Sequence, residues 1–172
     1  SEGFAEWFRL YQTNPRAARV PKKIAWIQCV GSRDVHEGAK AYCSAVCCTY
    51  AIKEAIVAKE HAKGGLDTAI FYIDMRTFGK DFERYYNRAK EEIGVRFIKS
   101  RITQILPMNG TGDLLIRYTD EAQKRIEETF DMVVLSVGIG ISKEAVDLAR
   151  RLDVQLDHHH FVSTSSFEPV ST

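Results

Sequence analysis

The sequence lacks the features that would assign it to a membrane, nucleic-acid-binding or exported class. Its longest apolar runs, AIFYI and MVVLSVGIGI, are far too short to span a bilayer. Its 24 basic and 23 acidic residues nearly cancel and form no large basic block, so no nucleic-acid partner is expected. Residues 1–20 contain charged side chains and no apolar segment typical of a signal peptide, so we expect a cytoplasmic location.

Cysteine is also missing from most of the chain, because all four cysteines fall within one window of about twenty residues. They are Cys29, Cys43, Cys47 and Cys48. Cysteine used only as a small buried hydrophobic residue would be scattered over several core elements. Four clustered thiols are instead the ligand set that an iron–sulfur cluster or a structural zinc ion requires. A reducing compartment favours this use over disulfide formation.

The cysteine spacing favours an iron–sulfur cluster over zinc. Structural zinc sites usually have paired C-x2–4-C knuckles, whereas thirteen residues separate Cys29 from Cys43, and Cys47 is adjacent to Cys48. A redox dithiol is a weaker alternative because the C-x-x-C spacing is missing. Zinc, a redox dithiol and inert cysteines therefore stay open beside the cluster.

Alternating strand-like and helix-like segments predict an α/β fold. IAWIQCV is apolar on both faces, as in a central parallel strand, and the polar loop RDVHEGAKAY follows it. A helix is predicted from about Ser44 to Ala62, with Ser44 as its N-cap and Gly64–Gly65 as its C-terminal stop. DTAIFYIDM and DFERYYNRAKEEIG then repeat the strand and the helix.

The remaining segments complete a Rossmann-like pattern. VRFIKSRITQIL and DLLIRYTD predict a β-meander, and KRIEETFDMVVLSVG ends on a very apolar strand. A parallel sheet followed by such a meander is typical of an FAD/NAD(P)-binding-type domain. ISKEAVDLARRL predicts a further helix, and the histidines at 158–160 predict a solvated turn in a polar tail. Gly138 and Gly140 end the apolar strand and are attributed to turn chemistry.

The thiols are predicted to lie where a dinucleotide phosphate would normally bind. In an open α/β sheet, ligands lie beyond the carboxyl ends of the strands, and Cys29 is at the end of the first strand. CVGSRD stands there instead of G-x-G-x-x-G, so NAD(P) binding is not expected. Within this segment, Gly31, Ser32 and Arg33 are candidate residues for binding a cofactor. Asp74 follows the second strand, where a ribose-binding acid is usual, but it carries little weight without the glycine loop.

The start of the next helix suits an anionic cluster. Its free backbone N–H groups and positive dipole end stabilise thiolates. On an ideal helix Cys48 is turned about 100° from Cys47, so the thiols converge only if Cys43 lies outside the regular helix or the first turn is distorted. Arg33 and Lys40 flank the thiols, and a cation beside an anionic cluster would raise its potential.

Four segments resemble the A subunit of heterodisulfide reductase and its relatives, among them flavoprotein subunits of quinone-interacting oxidoreductase complexes. These segments are IQCVGSRD, YCSAVCC, FYIDMRTFGKDFERYYNRAK and FDMVVLSVG. The resemblance extends from about Lys23 to Gly140, and its cysteine pattern is the specific part. It implies a thioredoxin reductase-like fold, in which an FAD domain is interrupted by an NAD(P)-domain-like unit that binds a 4Fe–4S cluster. The ligands that it implies are Cys29, Cys43, Cys47 and Cys48.

The resemblance also implies a domain organisation and a function. It implies that residues 23–141 are the Rossmann-like cluster-binding domain and residues 142–172 a partial return into the FAD domain. Residues 1–22 are expected to be a lead outside the resemblance, in which aromatic residues at helical spacing predict a short amphipathic helix. The family's flavin-binding glycine motif is absent here, so FAD is expected only in the intact protein, and the chain alone is expected to be inactive. The intact protein would be an oxidoreductase subunit that passes electrons between FAD and other iron–sulfur subunits of a redox complex. The alternative is a zinc-bearing or metal-free interaction domain on a degenerate dinucleotide-binding fold.

Overall fold

The computed structural model describes residues 20–62, 65–165, 167–168 and 170. The short amphipathic helix predicted near the start of the chain lies outside these residues, as does Gly64 of the predicted helix stop. The strands are β1 (Lys23–Val30), β2 (Asp67–Tyr72), β3 (Arg96–Lys99), β4 (Ile105–Pro107), β5 (Leu114–Thr119), β6 (Arg125–Phe130) and β7 (Met132–Val137). The helices are α1 (Cys47–His61), α2 (Phe82–Glu91) and α3 (Lys143–Arg151).

The chain divides into two compact units, one up to Gly138 and one from Ile139 onward. In the first unit, a parallel sheet has the strand order β3-β2-β1-β7. The second sheet of this unit is the antiparallel meander β4-β5-β6. This arrangement confirms the predicted α/β, Rossmann-like class, with the meander inserted before the last parallel strand.

The central strand β1 is buried because both faces of the parallel sheet are covered. On one face, Trp26 and Ile70 share a core with Ile52 of α1. On the other face, the core includes Phe71 of β2 and Phe130 of the meander, whose rings meet edge to face with centroids 5.9 Å apart. Two-sided burial is why β1 is a nearly continuous apolar run in the sequence.

Helix α1 begins later than the sequence predicts. Ser44 is not its N-cap: the helix begins at Cys47, its N-cap residue is Val46, and no side chain caps it. The prediction was wrong because Ala45 has a left-handed backbone (φ 56°), which interrupts the helical path between Ser44 and Cys47. The turn therefore sets Ser44 apart from the helix and starts the helix directly on a thiol.

The second unit contains α3 and a short return of the chain. Ser142 caps α3, since its hydroxyl accepts a hydrogen bond from the N–H of Ala145 at 3.2 Å, and the predicted helix is confirmed. The histidine run forms a turn, in which the Asp157 carboxylate accepts the N–H groups of His159 and Phe161. Within the described residues, no helix combines the length and the apolar character needed to cross a membrane.

A network of charges joins the meander to the parallel sheet. The Glu128 carboxylate of β6 accepts hydrogen bonds from Lys23 of β1 at 2.7 Å, Arg96 of β3 at 2.8 Å and Tyr118 of β5 at 2.9 Å. Arg96 also donates to Asp67 of β2. Burial alone would raise the pKa of Glu128, but these donors outweigh it and lower the pKa.

Replacing Glu128 by Gln is therefore expected to lower the free energy of unfolding by about 1–3 kcal/mol at neutral pH. Because the folded-state pKa is depressed, this stabilisation is present above the ordinary carboxyl value of 4.5 and is lost as pH falls through the lower folded value. Urea unfolding between neutral and acid pH measures both effects. Glu127→Gln is the matched control, since Glu127 pairs with Arg117 at the surface and should change stability by less than about 0.5 kcal/mol. Equal losses in the two variants would contradict the network.

Candidate functional site

A β-bulge orients the first cysteine. Ile27 of β1 is paired with Leu135 of β7, and Val30 with Val137, so β1 has one extra residue between these pairs. Cys29 lies in the bulge with a left-handed backbone (φ 60°), a conformation that costs a non-glycine residue on the order of 1–3 kcal/mol. A bulge changes the direction of a side chain at the end of a strand. Here that side chain is Cys29, the first of the clustered thiols.

Backbone hydrogen bonds fold the following loop back on itself. The N–H of Ser32 donates to the carbonyl of Cys29 at 3.1 Å, and the N–H of Lys40 donates to the carbonyl of Gly31 at 3.0 Å. The N–H of Arg33 donates to the carbonyl of Tyr42 at 3.2 Å, which returns the chain toward the cysteine at 43. The thirteen residues that separate the first two cysteines in sequence thus form a closed loop.

Three of the four thiols lie close enough to shift one another's pKa values. Interaction with Cys47, together with burial, raises the pKa of the Cys29 and Cys48 thiols, and interaction with these two thiols lowers the pKa of Cys47. Cys47 and Cys48 are buried in the first turn of α1, and Cys29 is half-buried. Cys43 lies before the helix, as convergence of the thiols requires, and its sulfur accepts the N–H of Ala45 at 3.4 Å.

Two arginines and one aspartate stand beside these thiols. The Asp74 carboxylate, in the segment after β2, pairs with Arg33 and accepts hydrogen bonds from Arg76 at 3.1 and 3.2 Å. The Arg33 guanidinium also interacts with the Cys29 thiol, and the Arg76 guanidinium interacts with the Cys43 thiol. Asp74 thus binds two arginines rather than standing alone. Arg76 was not predicted as a site residue, because its only signal in the sequence is its place after the carboxyl end of a parallel strand.

The other flanking cation predicted from the sequence has a different neighbour. The Lys40 ammonium lies over the Tyr42 ring, 5.9 Å from its centroid. Of the candidate cofactor-binding residues, Gly31 makes the turn after β1 with φ 66°, Ser32 is buried, and Arg33 contacts a thiol. Their role toward a cofactor stays a prediction.

Gly138 has a reason other than the turn chemistry predicted for it. Its φ is not left-handed, but a Cβ added there would lie 2.5 Å from the Oγ atoms of both Ser32 and Ser44. The end of β7 therefore needs glycine because the hydroxyls of Ser32 and Ser44, which follow Cys29 and Cys43 in the chain, approach it. The Tyr50 hydroxyl of α1 donates to the Val137 carbonyl at 2.8 Å and ties the helix to the same strand end.

The donor set suits an iron–sulfur cluster in its chemistry. Four thiols stand in one strand–loop–helix unit, at a helix N-terminus, with two guanidinium groups in contact. In the described ranges, no group of three or more His, Cys, Asp or Glu side chains already has the arrangement of a metal site. The ligand assignment of the four cysteines therefore stays a prediction.

Known proteins of similar sequence include A subunits of heterodisulfide reductases. No model of a protein family matches the chain. The chain is 40% identical over 145 residues to the A subunit of the H2/formate:CoB-CoM heterodisulfide,ferredoxin reductase of Methanococcus maripaludis, covering 84% of the chain and 22% of the relative. It is 38% identical over 152 residues to the iron-sulfur A subunit of the CoB–CoM heterodisulfide reductase of Methanocaldococcus jannaschii, covering 88% and 23%. The chain thus spans about a fifth of the length of the curated relatives that it matches.

Among solved structures, the thioredoxin reductase of Lactococcus lactis is similar in fold. The TM-score is 0.50 at 17% sequence identity, over 84% of this chain and 39% of that one. This likeness agrees with the parallel sheet and meander described above, and at this sequence identity it supports the fold but not a function.

Proposed function

This chain belongs to the family of heterodisulfide reductase A subunits, of which it spans about a fifth, and we propose that it is an electron-transfer module that binds a 4Fe–4S cluster. Cys29, Cys43, Cys47 and Cys48 would be the ligands. The observation that carries the proposal is that Cys29, Cys47 and Cys48 meet at the N-terminus of α1, with Cys43 just before the helix and two arginines beside the thiols. A bound cluster supplies reversible one-electron chemistry.

The residues of the chain position and shield the thiols. The bulge at Cys29 and the left-handed turn at Ala45 direct two separate segments toward the start of α1. The N–H of Ala45 donates to the Cys43 sulfur, and such donors stabilise a thiolate. Cys47 and Cys48 are each only 3% exposed, so water is excluded from that side. No side chain is needed as a general acid or base in this role, because only electrons are transferred.

The intact protein would use this module as a relay to or from FAD. We propose that the flavin is bound by parts of the protein beyond this chain, since no G-x-G-x-x-G motif for a flavin dinucleotide occurs in the sequence. The partners would be other iron–sulfur subunits of a multi-subunit, cytoplasmic redox complex. Alone, the chain should bind no FAD and catalyse no turnover.

Metal analysis of the chain prepared without oxygen tests the proposal. The expected result is a brown protein with about four irons per chain and broad thiolate-to-iron absorbance. Reduction should give the EPR signal of a one-electron-reduced cluster. One tightly bound zinc without iron would support the alternative of a structural interaction domain. A chain that binds neither metal would leave a metal-free domain with idle thiols.

A further inference from the structure

Arg33, Asp74 and Arg76 form a unit, here called the arginine clamp, that reaches three of the four thiols. Arg33 contacts Cys29, and Arg76 contacts Cys43. The Cys48 sulfur lies 4.0 Å from the backbone carbonyl oxygen of Asp74. The clamp joins the loop after β1 to the segment after β2, so it forms a wall of the thiol site that comes from a different strand.

The charges of the clamp are suited to act on an anionic group. A cluster with four thiolate ligands has a net negative charge, which increases by one electron on reduction. A nearby guanidinium therefore stabilises the reduced state more than the oxidised state and raises the reduction potential. A carboxylate at the same place has the opposite effect. The clamp contains both signs, in the ratio of two cations to one anion.

Partial exposure limits but does not remove this effect. The side chains of Arg33, Arg76 and Asp74 are 25%, 34% and 44% exposed. Salt screens such charges less than fully exposed ones. Asp74 also hydrogen-bonds both arginines, which restricts their freedom to turn toward solvent.

We propose that the arginine clamp sets the reduction potential of the cluster, with Arg33 and Arg76 raising it and Asp74 lowering it while holding both arginines in place. The inference rests on the proposed function, since it concerns the same thiols. It assigns Asp74 and Arg76 a role as positioning and charge-compensating residues. It also gives Asp74 a purpose different from that of a ribose-binding acid.

Redox titration followed by EPR tests the clamp, both in this chain and in the intact protein. Arg33→Gln and Arg76→Gln are each expected to lower the midpoint potential. Asp74→Asn removes the negative charge but keeps a side-chain oxygen that accepts from the two arginines, so it is expected to raise the potential. Arg33→Lys and Arg76→Lys keep the charge and should stay nearer the wild type than the Gln variants. Arg117→Gln makes the same charge change on β5, where Arg117 pairs with Glu127, and should leave the potential unchanged.

The order of the potentials separates an electrostatic role from a structural one. Loss of iron in the Gln variants that the Lys variants restore also supports charge compensation. Loss of iron in the Lys variants as well would overturn the proposal. The positive charge would then be present but would not retain the cluster, so the arginines would have a structural role instead. Unchanged potentials in both Gln variants, or a shift of Asp74→Asn in the same direction as theirs, would overturn it too. A wild-type protein without iron would instead refute the proposed function together with this inference.

Discussion

Replacing Cys47 by Ser is expected to remove nearly all of the iron from the protein. Cys47 is the thiol that interacts with both Cys29 and Cys48, and it is buried at the start of α1. A serine hydroxyl does not ionise near neutral pH and is a poor substitute for thiolate sulfur at iron. No other cysteine is available to replace it, because the chain has only four. We expect the same result for Cys48→Ser.

Iron content per chain and the EPR signal of the reduced protein measure this loss. Thr49→Ala is the matched control, since it changes the next residue of the same helical turn and removes no thiol. Thermal unfolding of the iron-free forms shows whether a variant still folds. Full iron content in both Cys47→Ser and Cys48→Ser would contradict the ligand set.

Replacing Gly138 by Ala is expected to destabilise the protein by about 1–3 kcal/mol, the usual cost of overpacking. The added Cβ would lie 2.5 Å from the hydroxyl oxygens of Ser32 and Ser44, which must move away. Ser32 follows the bulge at Cys29, and Ser44 follows Cys43. We therefore expect faster loss of iron on exposure to a chelator as well as lower stability.

A combined variant separates this close approach from a general effect of the substitution. Ser32→Ala with Ser44→Ala removes both oxygens, so Gly138→Ala should cost much less stability in that background. Urea unfolding of the four proteins gives the coupling free energy. Additive effects would mean that the hydroxyls are not what excludes a side chain at position 138.

The fold could be predicted from the sequence because its signals are local. The apolar run of β1 reflects burial on two faces and the helical spacing of α2 reflects burial on one, which the residue pattern records directly. The apolar run of β7 also predicts a strand, although Leu135 and Val137 are about half exposed because β7 lies at the edge of the sheet. The prediction that Ser44 caps α1 was wrong because Ala45 adopts a left-handed conformation, which single-residue preferences do not reveal. Local patterns thus identify elements better than they fix where an element begins.

The site could be predicted only in part. The clustering of the cysteines is visible along the chain, and so is their place after a strand and before a helix. Arg76 and Gly138 were missed as site residues because each follows a strand that is distant in sequence from the cysteines, Arg76 after β2 and Gly138 after β7. Pairing of β1 with both β2 and β7 is what brings them there. Such contacts depend on strand order, which no single segment of the sequence encodes.

The location of all four cysteines in one strand–loop–helix unit bears on the order of folding. Closing a short stretch of chain costs less entropy than closing a long one, so this unit can form before distant strands pair with it. The thiols would then be gathered while the side later covered by Asp74 and Arg76 is still open. The pairing of β7 with β1 comes last along the chain and brings Gly138 against the two serines. The thiols are thus close to one another in sequence, whereas the groups that surround them come from strands paired over longer separations.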